Sequence, residues 1–357
     1  MIVPSLLLEL APVLVKIFGA FFVVLTLTAY LTLAERKFSA FIQDRIGPNR
    51  VGPFGLLQPL ADGIKFIFKE DIIPTQAHKL YYILAPALLL VPALMGYAVI
   101  PFGDYVEVAG RLIPLQIADV DIGILYVLAI AGLSVYGLFM AGWASNNKYS
   151  LLGGLRSSAQ MVSYELTLGL SIVGALLVYG TTNLRDIVVQ QTAYWQVGSI
   201  LIPKWGVFLQ PLGFLLFLVS AFAESNRLPF DLPEAENELV GGYHTEYGSM
   251  KFAMFFMGEY TGMITMSALL TTFFFGGWHV PWLEAAGLSR NVAAILGVGA
   301  FCAKTGCFLF LYIWVRWTLP RFRYDQLMKL SWKGVFPLAL ANVFLTGVCL
   351  YLYSRLM

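Results

Sequence analysis

The chain has 357 residues, of which 59% are hydrophobic and only 12% carry a charge. Soluble domains carry about 25% charged residues. This composition, with a mean hydropathy of +0.74, excludes an ordinary soluble protein and predicts an all-α polytopic membrane protein. The net charge of +2 provides no basic surface for nucleic acid.

A membrane-spanning helix needs about 20 apolar residues, and eight stretches meet that requirement. They lie near residues 12 to 34, 80 to 101, 121 to 143, 160 to 180, 206 to 223, 252 to 276, 294 to 318 and 335 to 353. We treat residues 1 to 357 as a single membrane domain. The loops after the first, third, fifth and seventh stretches carry most of the lysines and arginines, so the positive-inside rule puts both termini outside.

The first charged loop, residues 35 to 79, contains the pattern of an amphipathic helix. Leucine, isoleucine and phenylalanine recur on one face, while Gln58, Asp62, Lys65 and Lys69 recur on the other. This pattern predicts an interfacial helix lying in the plane of the membrane surface. Such a helix is either a surface brace or the lip of an opening for a lipid-like molecule, and the pattern does not separate the two.

The second charged loop, residues 224 to 251, is unusually acidic for a chain of this composition. Its charged residues are Glu224, Asp231, Glu234, Glu236, Glu238, Glu246 and Arg227. Asp231 and Pro233 are typical of a helix start, and Gly241-Gly242 of a helix end. On that short helix Glu234 and Glu238 face each other, and their repulsion raises the apparent pKa of the pair. The alternative is a solvated acidic loop that binds a basic partner.

Four ionisable residues lie within or at the ends of the apolar stretches: Glu165, Glu224, Glu259 and Lys304. A charge at the centre of a spanning helix costs about 2.5 to 3.5 kcal/mol on insertion scales. These residues therefore predict a buried polar pathway or paired charges, and for Lys304 a tie to a carboxylate is an equal alternative. The three cysteines are interpreted as packing residues, and neither the cysteines nor the histidines follow a metal-binding spacing.

Four long segments carry a close resemblance to a known family. They are RIGPNRVGPFGLLQPLADGIKFIFKED, AGWASNNKYSLLGGLRSSAQMVSYE, NRLPFDLPEAENELVGGYHTEYGSMKFAMFFMGEY and RFRYDQLMKLSWK. They resemble the H-type membrane subunits of the proton-pumping NADH:quinone oxidoreductases, respiratory complex I. The likeness extends over essentially the whole chain.

The resemblance implies roles for particular residues. In the family the first loop helps to form the entrance of a quinone chamber, and the matching residues here are Arg36, Arg45, Asp62 and Lys65. The family's coupling and proton path carries over to Glu165, Glu224, Arg227, Asp231, Glu234, Glu236, Glu238, Glu246 and Glu259. Some members also carry a glutamate where this chain has Gly132, so that position is absent here or served by water, Ser134 or Tyr136.

The resemblance further implies an assembly in which this chain has no complete active site. The substrate is a quinone, ubiquinone or menaquinone, while FMN, NADH and iron-sulfur clusters belong to partner subunits. The expected partners are peripheral-arm iron-sulfur subunits, antiporter-like and other membrane-arm subunits, and the lipid bilayer of a bacterial inner membrane. Rival interpretations are the equivalent component of a membrane-bound hydrogenase or ferredoxin-driven complex, a stand-alone ion transporter, and a pure anchor protein.

Overall fold

The computed structural model describes residues 2–108, 110–197, 200–232, 239–283 and 287–356, with side chains from residue 12 onward except at residues 197 and 200. The described helices are α1 (Ile2–Ile42), α2 (Gln58–Phe68), α3 (Lys79–Met95), α4 (Gly123–Ala144), α5 (Lys148–Tyr179), α6 (Leu184–Gln191), α7 (Gly206–Leu209), α8 (Pro211–Glu224), α9 (Ser249–Phe274), α10 (Arg290–Thr318), α11 (Tyr324–Lys329) and α12 (Phe336–Leu356). The strands are β1 (Tyr105–Val108), β2 (Arg111–Pro114), β3 (Tyr194–Val197) and β4 (Ile200–Pro203).

Within these ranges, six helical segments are long and apolar enough to cross a membrane. They are Pro12–Ile42, Lys79–Ala98, Gly123–Ala144, Lys148–Tyr179, Arg290–Thr318 and Tyr324–Leu356. The prediction of a helical, multi-pass membrane protein is confirmed at this level. Two of the eight predicted stretches fall outside the six.

The two exceptions, α8 and α9, differ from the other helices for separate reasons. Helix α8 has 14 residues, which at 1.5 Å per residue give about 21 Å, less than the thickness of a bilayer core. Helix α9 has 26 residues and is long enough, but Lys251, Glu259 and a series of hydroxyl residues lower its hydropathy. Both helices lie in the interior of the bundle, where polar groups have protein partners.

Helix α5 begins at Lys148, well before the predicted start near residue 160. The Asn147 side chain caps it by accepting a hydrogen bond from the Tyr149 N–H. The first turns contain Ser157 and Gln160, which are fully buried against other helices. A hydropathy pattern starts the span at the first apolar run, whereas the actual helix includes these buried polar turns.

The helices define two sides of the bundle. We call inner the side that carries the loops after α1, α4, α8 and α10, and outer the side that carries the loops after α3, α5 and α9. Two antiparallel hairpins lie on the outer side: β1–β2, with Tyr105 opposite Pro114, and β3–β4, with Tyr194 opposite Pro203. The main hydrophobic core centres on α9, where Leu269, Leu270, Phe273 and Phe274 are fully buried.

A π-helical turn, Leu330–Val335, joins α11 to α12. It packs against α5, because the Ser331 hydroxyl donates to the Ser163 carbonyl at 3.4 Å and Trp332 Nε1 donates to Ser163 Oγ at 3.3 Å. Further along, Asn342 and Thr346 on α12 are buried and both bind Gln210. The last helix therefore carries a polar face toward the bundle.

Two expectations about apolar-helix residues are wrong. Cys302, Cys307 and Cys349 are all exposed on the surface of this chain, so they are not packing residues within it. Lys304 has no carboxylate partner in its described surroundings. Its ammonium instead donates to three backbone carbonyls at 2.7 to 2.9 Å, because α9 ends opposite it and leaves carbonyl groups to be satisfied.

Candidate functional site

A cavity of about 400 Å³ lies on the inner side between α1, α2, α9 and α10. Its walls are mostly apolar, with Leu25, Pro59, Phe66, Phe252, Phe256, Met257 and Trp317, and its polar residues include Thr28, Thr32, Glu35, Arg36, Asp62, Tyr260 and Arg316. A large apolar cavity with a few convergent polar groups is the usual form of a site for an amphipathic small molecule.

Two of the four predicted entrance residues line this cavity. The Asp62 carboxylate on α2 binds Arg36 at 2.7 Å and Lys65 at 3.2 Å. Partial burial raises the pKa of Asp62, but the hydrogen bond from Lys65 and the charges of Arg36 and Lys65 outweigh that effect, and its pKa lies below its usual range. Lys65 thus holds Asp62 from outside the cavity.

Arg45, the fourth of these residues, lies elsewhere. It lines a separate surface groove of about 450 Å³ with Lys37, Phe41 and Asp44. Its Nε donates to Gln43 Oε1 at 2.6 Å. The structure therefore groups Arg36, Asp62 and Lys65 and separates Arg45 from them.

A chain of charged and phenolic side chains begins on the cavity wall. Glu35, at the inner end of α1, is buried and forms an ion pair with Arg316 of α10. The hydroxyl of Tyr260 on α9 donates to Glu35 Oε2 at 2.6 Å. Three helices distant in sequence therefore meet at one carboxylate.

The same tyrosine leads away from the cavity. The guanidinium of buried Arg227 lies 4.1 Å from the centre of the Tyr260 ring, a cation–π contact. Arg227 also lies 3.9 Å from Glu259 Oε2, and the Tyr243 hydroxyl donates to Glu259 Oε1 at 2.6 Å. We call the series Glu35, Tyr260, Arg227 and Glu259, with Arg316 and Tyr243 at its two ends, the inner chain.

Beyond the inner chain is a second, smaller cavity of about 70 Å³, enclosed by α3, α4, α5, α8 and α9. Glu224 and Glu259 line it together with Ser134, and its other walls are mostly apolar. The Oε2 atom of Glu224 is buried and has no hydrogen-bond partner among the described residues. The volume is enough for a few water molecules, which such a carboxylate oxygen requires as donors.

The turn after Glu224 is held by one amide side chain. Gln160 Nε2 donates to the Ala223 carbonyl at 2.8 Å, to Asn226 Oδ1 at 3.0 Å and to the Phe230 carbonyl at 2.9 Å. Gln160 lies on α5 and is fully buried. The backbone that carries Glu224 and Arg227 is thereby fixed against α5.

Glu165 lies on the other side of α4 from the small cavity, facing a groove. This groove, about 440 Å³, runs between α4 and α5 and includes Gly132 and Tyr136. A Cβ at Gly132 would lie 2.9 Å from Glu165 Oε1, so the Glu165 carboxylate fills the space that a side chain there would need. Glu165 is half-buried, and no hydrogen bond links it to the described residues.

The alternatives for the missing glutamate separate geometrically. Ser134 lines the small cavity, and its hydroxyl donates to the Ala131 carbonyl at 2.6 Å. Tyr136 lines the groove with Glu165 and is 64% exposed. Ser134 therefore accompanies Glu224, while Tyr136 accompanies Glu165.

The remaining predicted residues of the acidic loop divide into two groups. Asp231 is buried and binds Arg321 at 3.0 Å; burial raises its pKa, and Arg321, Arg316 and Arg227 oppose that rise. Glu246 lies apart, where it accepts a hydrogen bond from Asn147 Nδ2 at 2.6 Å. Glu234, Glu236 and Glu238, with the short helix predicted for them, lie outside the described residues.

Four members of the inner chain were missed from the sequence: Glu35, Tyr243, Tyr260 and Arg316. Glu35 and Arg316 stand at the ends of apolar helices, where charged residues usually face water. Tyrosines in apolar helices are typical packing residues, and the contact between Glu35 and Tyr260 joins positions 225 residues apart. Glu35 next to Arg36 at a helix end was the signal available for the first of them.

Comparisons with known proteins agree in one direction. The family model described as NADH dehydrogenase matches residues 15–347. Similar curated proteins include H-type subunits of bacterial NADH-quinone oxidoreductases. That of Leptospira biflexa is 54% identical over 94% of this chain and 93% of its own length. The first-numbered proteins of this type from Geobacter metallireducens and Cytophaga hutchinsonii are each 51% identical, over 97% and 94% of this chain and 98% and 95% of their own lengths.

Proposed function

The chain belongs to the NADH dehydrogenase family, and from that membership we propose how it works as the H-type membrane component of an NADH-quinone oxidoreductase. In this proposal the cavity of about 400 Å³ is its part of the quinone chamber. The inner chain then couples quinone reduction in that chamber to proton translocation. Electrons come from iron-sulfur clusters of partner subunits, since this chain has no complete active site.

The observation that carries this proposal is the double role of Tyr260. Its hydroxyl binds Glu35 on the wall of the large cavity, and its ring lies against Arg227, the partner of Glu259. Glu259 in turn lines the small cavity with Glu224. One side chain therefore connects the proposed quinone site with the proposed proton path.

The coupling follows from charge. Reduction of a quinone to a quinol takes up two electrons and two protons, so negative charge develops in the chamber before the protons arrive. That charge attracts the Arg316 guanidinium, which the Glu35 carboxylate holds in the ground state. In a low-dielectric interior a change in one ion pair alters the balance of its neighbours. Tyr260 and Arg227 transmit the change to Glu259 and Glu224.

The proton path leaves this chain sideways. Glu165 faces the groove between α4 and α5, and the two carboxylates Glu165 and Glu224 are close enough to repel each other. A half-exposed carboxyl within a spanning helix is expensive unless protein covers it. We therefore assign the groove to contact with another membrane-arm subunit, and Tyr136 to the rim of that contact.

The acidic loop, residues 224–251, is assigned to the coupling face toward the peripheral arm. Asp231 and its Arg321 partner support this assignment, because they fix the start of the loop beside the inner chain. Glu234, Glu236, Glu238 and Glu246 keep their proposed coupling role. Residues 35–79 are assigned to the quinone-side loop, with Arg45 at its outer rim.

For membrane topology we propose eight spans. Helices α8 and α9 complete the six apolar ones, and α2 lies in the interface plane with Leu60, Ile64, Ile67 and Phe68 exposed. Both termini then lie on the periplasmic side of a bacterial inner membrane. The proposed partners are peripheral-arm iron-sulfur subunits and antiporter-like membrane subunits, and ubiquinone or menaquinone is the substrate.

The test is Tyr260→Phe in the assembled complex. We expect quinone reduction to fall about tenfold, since loss of the hydroxyl leaves the buried Glu35 oxygen without its donor. NADH oxidation by an artificial acceptor such as ferricyanide should remain unchanged, because it uses the peripheral arm alone.

Tyr126→Phe is the matched control, because the Tyr126 hydroxyl lies away from the inner chain and donates to the Met95 carbonyl. If Tyr260→Phe and Tyr126→Phe both retain full quinone reduction and pumping, Tyr260 does not connect the two cavities and the proposed route is wrong.

A further inference from the structure

The outer end of α9 is closed by side chains from three other helices. The last carbonyls of a helix have no partner within it. Here the Thr272 carbonyl accepts from Gln191 Nε2 at 2.8 Å, and the Phe273 carbonyl accepts from the Tyr179 hydroxyl at 3.3 Å. The Phe275 carbonyl accepts from Lys304 at 2.8 Å. None of these groups takes part in the inner chain.

Lys304 uses all three of its ammonium donors on backbone. They bind the carbonyls of Phe275, Gly277 and His279 at 2.8, 2.9 and 2.7 Å. The ammonium also lies 4.8 Å from the centre of the Trp205 ring, a cation–π contact. A lysine in the middle of a 29-residue apolar helix is thereby solvated by protein dipoles.

Gln191 and His279 complete this group. Gln191 Oε1 accepts from the Gly206 and Gly276 N–H groups, both at 3.0 Å. His279 binds the Tyr194 hydroxyl at 3.1 Å. Burial and the Lys304 charge lower the pKa of His279 to about 4, so the imidazole is neutral near pH 7. We call Gln191, Trp205, Lys304 and the backbone of 275–279 the outer clasp.

The clasp lies close to the acidic interior. The small cavity that holds Glu224 and Glu259 extends along α9 as far as Met266. From there to Phe275 is nine residues of helix, about 14 Å, and residues 267–274 are all buried. The hydroxyls of Ser267, Thr271 and Thr272 along this stretch donate to carbonyls of their own helix.

We propose that the outer clasp is a proton seal, in which the fixed Lys304 ammonium and the occupied carbonyls keep outer-side protons out of the acidic cavity. This inference rests on the proposed function of that cavity as part of a proton path. A fixed cation repels hydronium, as positive groups in water-conducting pores do. Carbonyls that already hold a donor do not recruit a line of water molecules.

The plainer role for Lys304 is a helix cap alone. A cap contributes to stability and has no effect on the proton permeability of a folded complex. The two roles therefore differ in one measurable quantity, which is passive proton flow through the resting enzyme.

The experiment uses the holoenzyme with Lys304→Gln in sealed liposomes containing a pH-sensitive dye. Glutamine keeps two N–H donors for the carbonyls and removes the charge. After an acid pulse outside, without NADH or quinone, we expect internal acidification about tenfold faster than in the wild type, from loss of a unit charge acting over about 14 Å. NADH:quinone electron transfer in detergent should be unchanged.

Two matched variants complete the design. Lys304→Arg keeps the charge and the donors, and it should remain as tight as the wild type. Lys204→Gln makes the same chemical change at an outer-side lysine outside the clasp, and it should also remain tight.

Equal permeability in Lys304→Gln and the wild type would overturn the seal, as would equal leaks in the Lys304 and Lys204 variants. A Lys304→Gln complex that fails to assemble would assign the residue to folding and overturn the seal as well. Because the leak is measured without turnover, failure of the Tyr260 route would not change it. Loss of pumping without a leak would count against the seal alone.

Discussion

The two ends of α9 differ in how fully their polar groups are satisfied. At the inner end, Glu259 and Tyr260 adjoin cavities of about 70 and 400 Å³, and Glu224 beside them has a carboxylate oxygen with no partner among the described residues. At the outer end, the carbonyls of Thr272, Phe273 and Phe275 each accept a side-chain donor.

The difference follows from what each end has to do. Groups that change protonation need space and water around them, and they keep a cost in stability. Groups that only hold a helix end are best fully paired. The comparison predicts that substitutions at the inner end change activity more than stability, and that substitutions at the outer end do the reverse.

The largest effect on stability is expected from Gln191→Leu at the outer end. It leaves the N–H groups of Gly206 and Gly276 and the Thr272 carbonyl unpaired in a buried site. Each unsatisfied buried group costs about 1 to 3 kcal/mol, so the half-life of the holoenzyme at elevated temperature should fall strongly. Quinone reduction per surviving complex should stay near the wild-type value.

Gln190→Leu is the neighbouring control, since Gln190 is exposed and binds the Tyr179 carbonyl. A stable Gln191→Leu complex with slow quinone reduction would reverse the comparison between the two ends.

At the inner end, Arg321→Gln should change the pH dependence of activity. Burial raises the pKa of Asp231, and Arg321 at 3.0 Å opposes that rise. Loss of the cation raises the pKa further, so the ionised carboxylate is lost at a higher pH as the solution is acidified. We expect the acidic limb of quinone reduction to move up by about one pH unit.

Arg323→Gln, two residues away on the same exposed segment, should leave the profile in place. Superimposable profiles for the Arg321 variant and the wild type would show that ionisation of Asp231 does not limit the reaction.

The smallest effect is expected from Gly132→Ala in α4. The added Cβ meets Glu165 Oε1 at 2.9 Å, and the end of a flexible side chain can move away. We expect pumping to fall about twofold at most, because the carboxylate is displaced within a groove that has room for it. The ratio of protons to electrons in liposomes measures it.

Gly169→Ala on α5 has open space around the new methyl group and is the matched control. An effect of Gly132→Ala larger than that of Tyr260→Phe would move the limiting step from the inner chain to the groove.

The helices and the positions of Glu224 and Glu259 on them could be predicted from the sequence, because apolar runs and helix ends are local features. The start of α5 could not, because Ser157 and Gln160 become acceptable in a helix only when their buried partners are known. Tyr260 and Glu35 meet through tertiary packing, which no spacing in the sequence records. For Lys304 the prediction considered carboxylate partners, whereas the available acceptors were backbone carbonyls at the end of another helix.

The π turn at Leu330–Val335 sets the phase of the last helix. It contains one residue more than an α-helical turn, and one residue corresponds to about 100° of rotation. With that residue, Thr346 comes back to the same azimuth as buried Leu327 and reaches Gln210. Deleting any one residue from the turn would rotate Asn342 and Thr346 toward the lipid while leaving the composition of α12 unchanged, so this face depends on residue count rather than residue type.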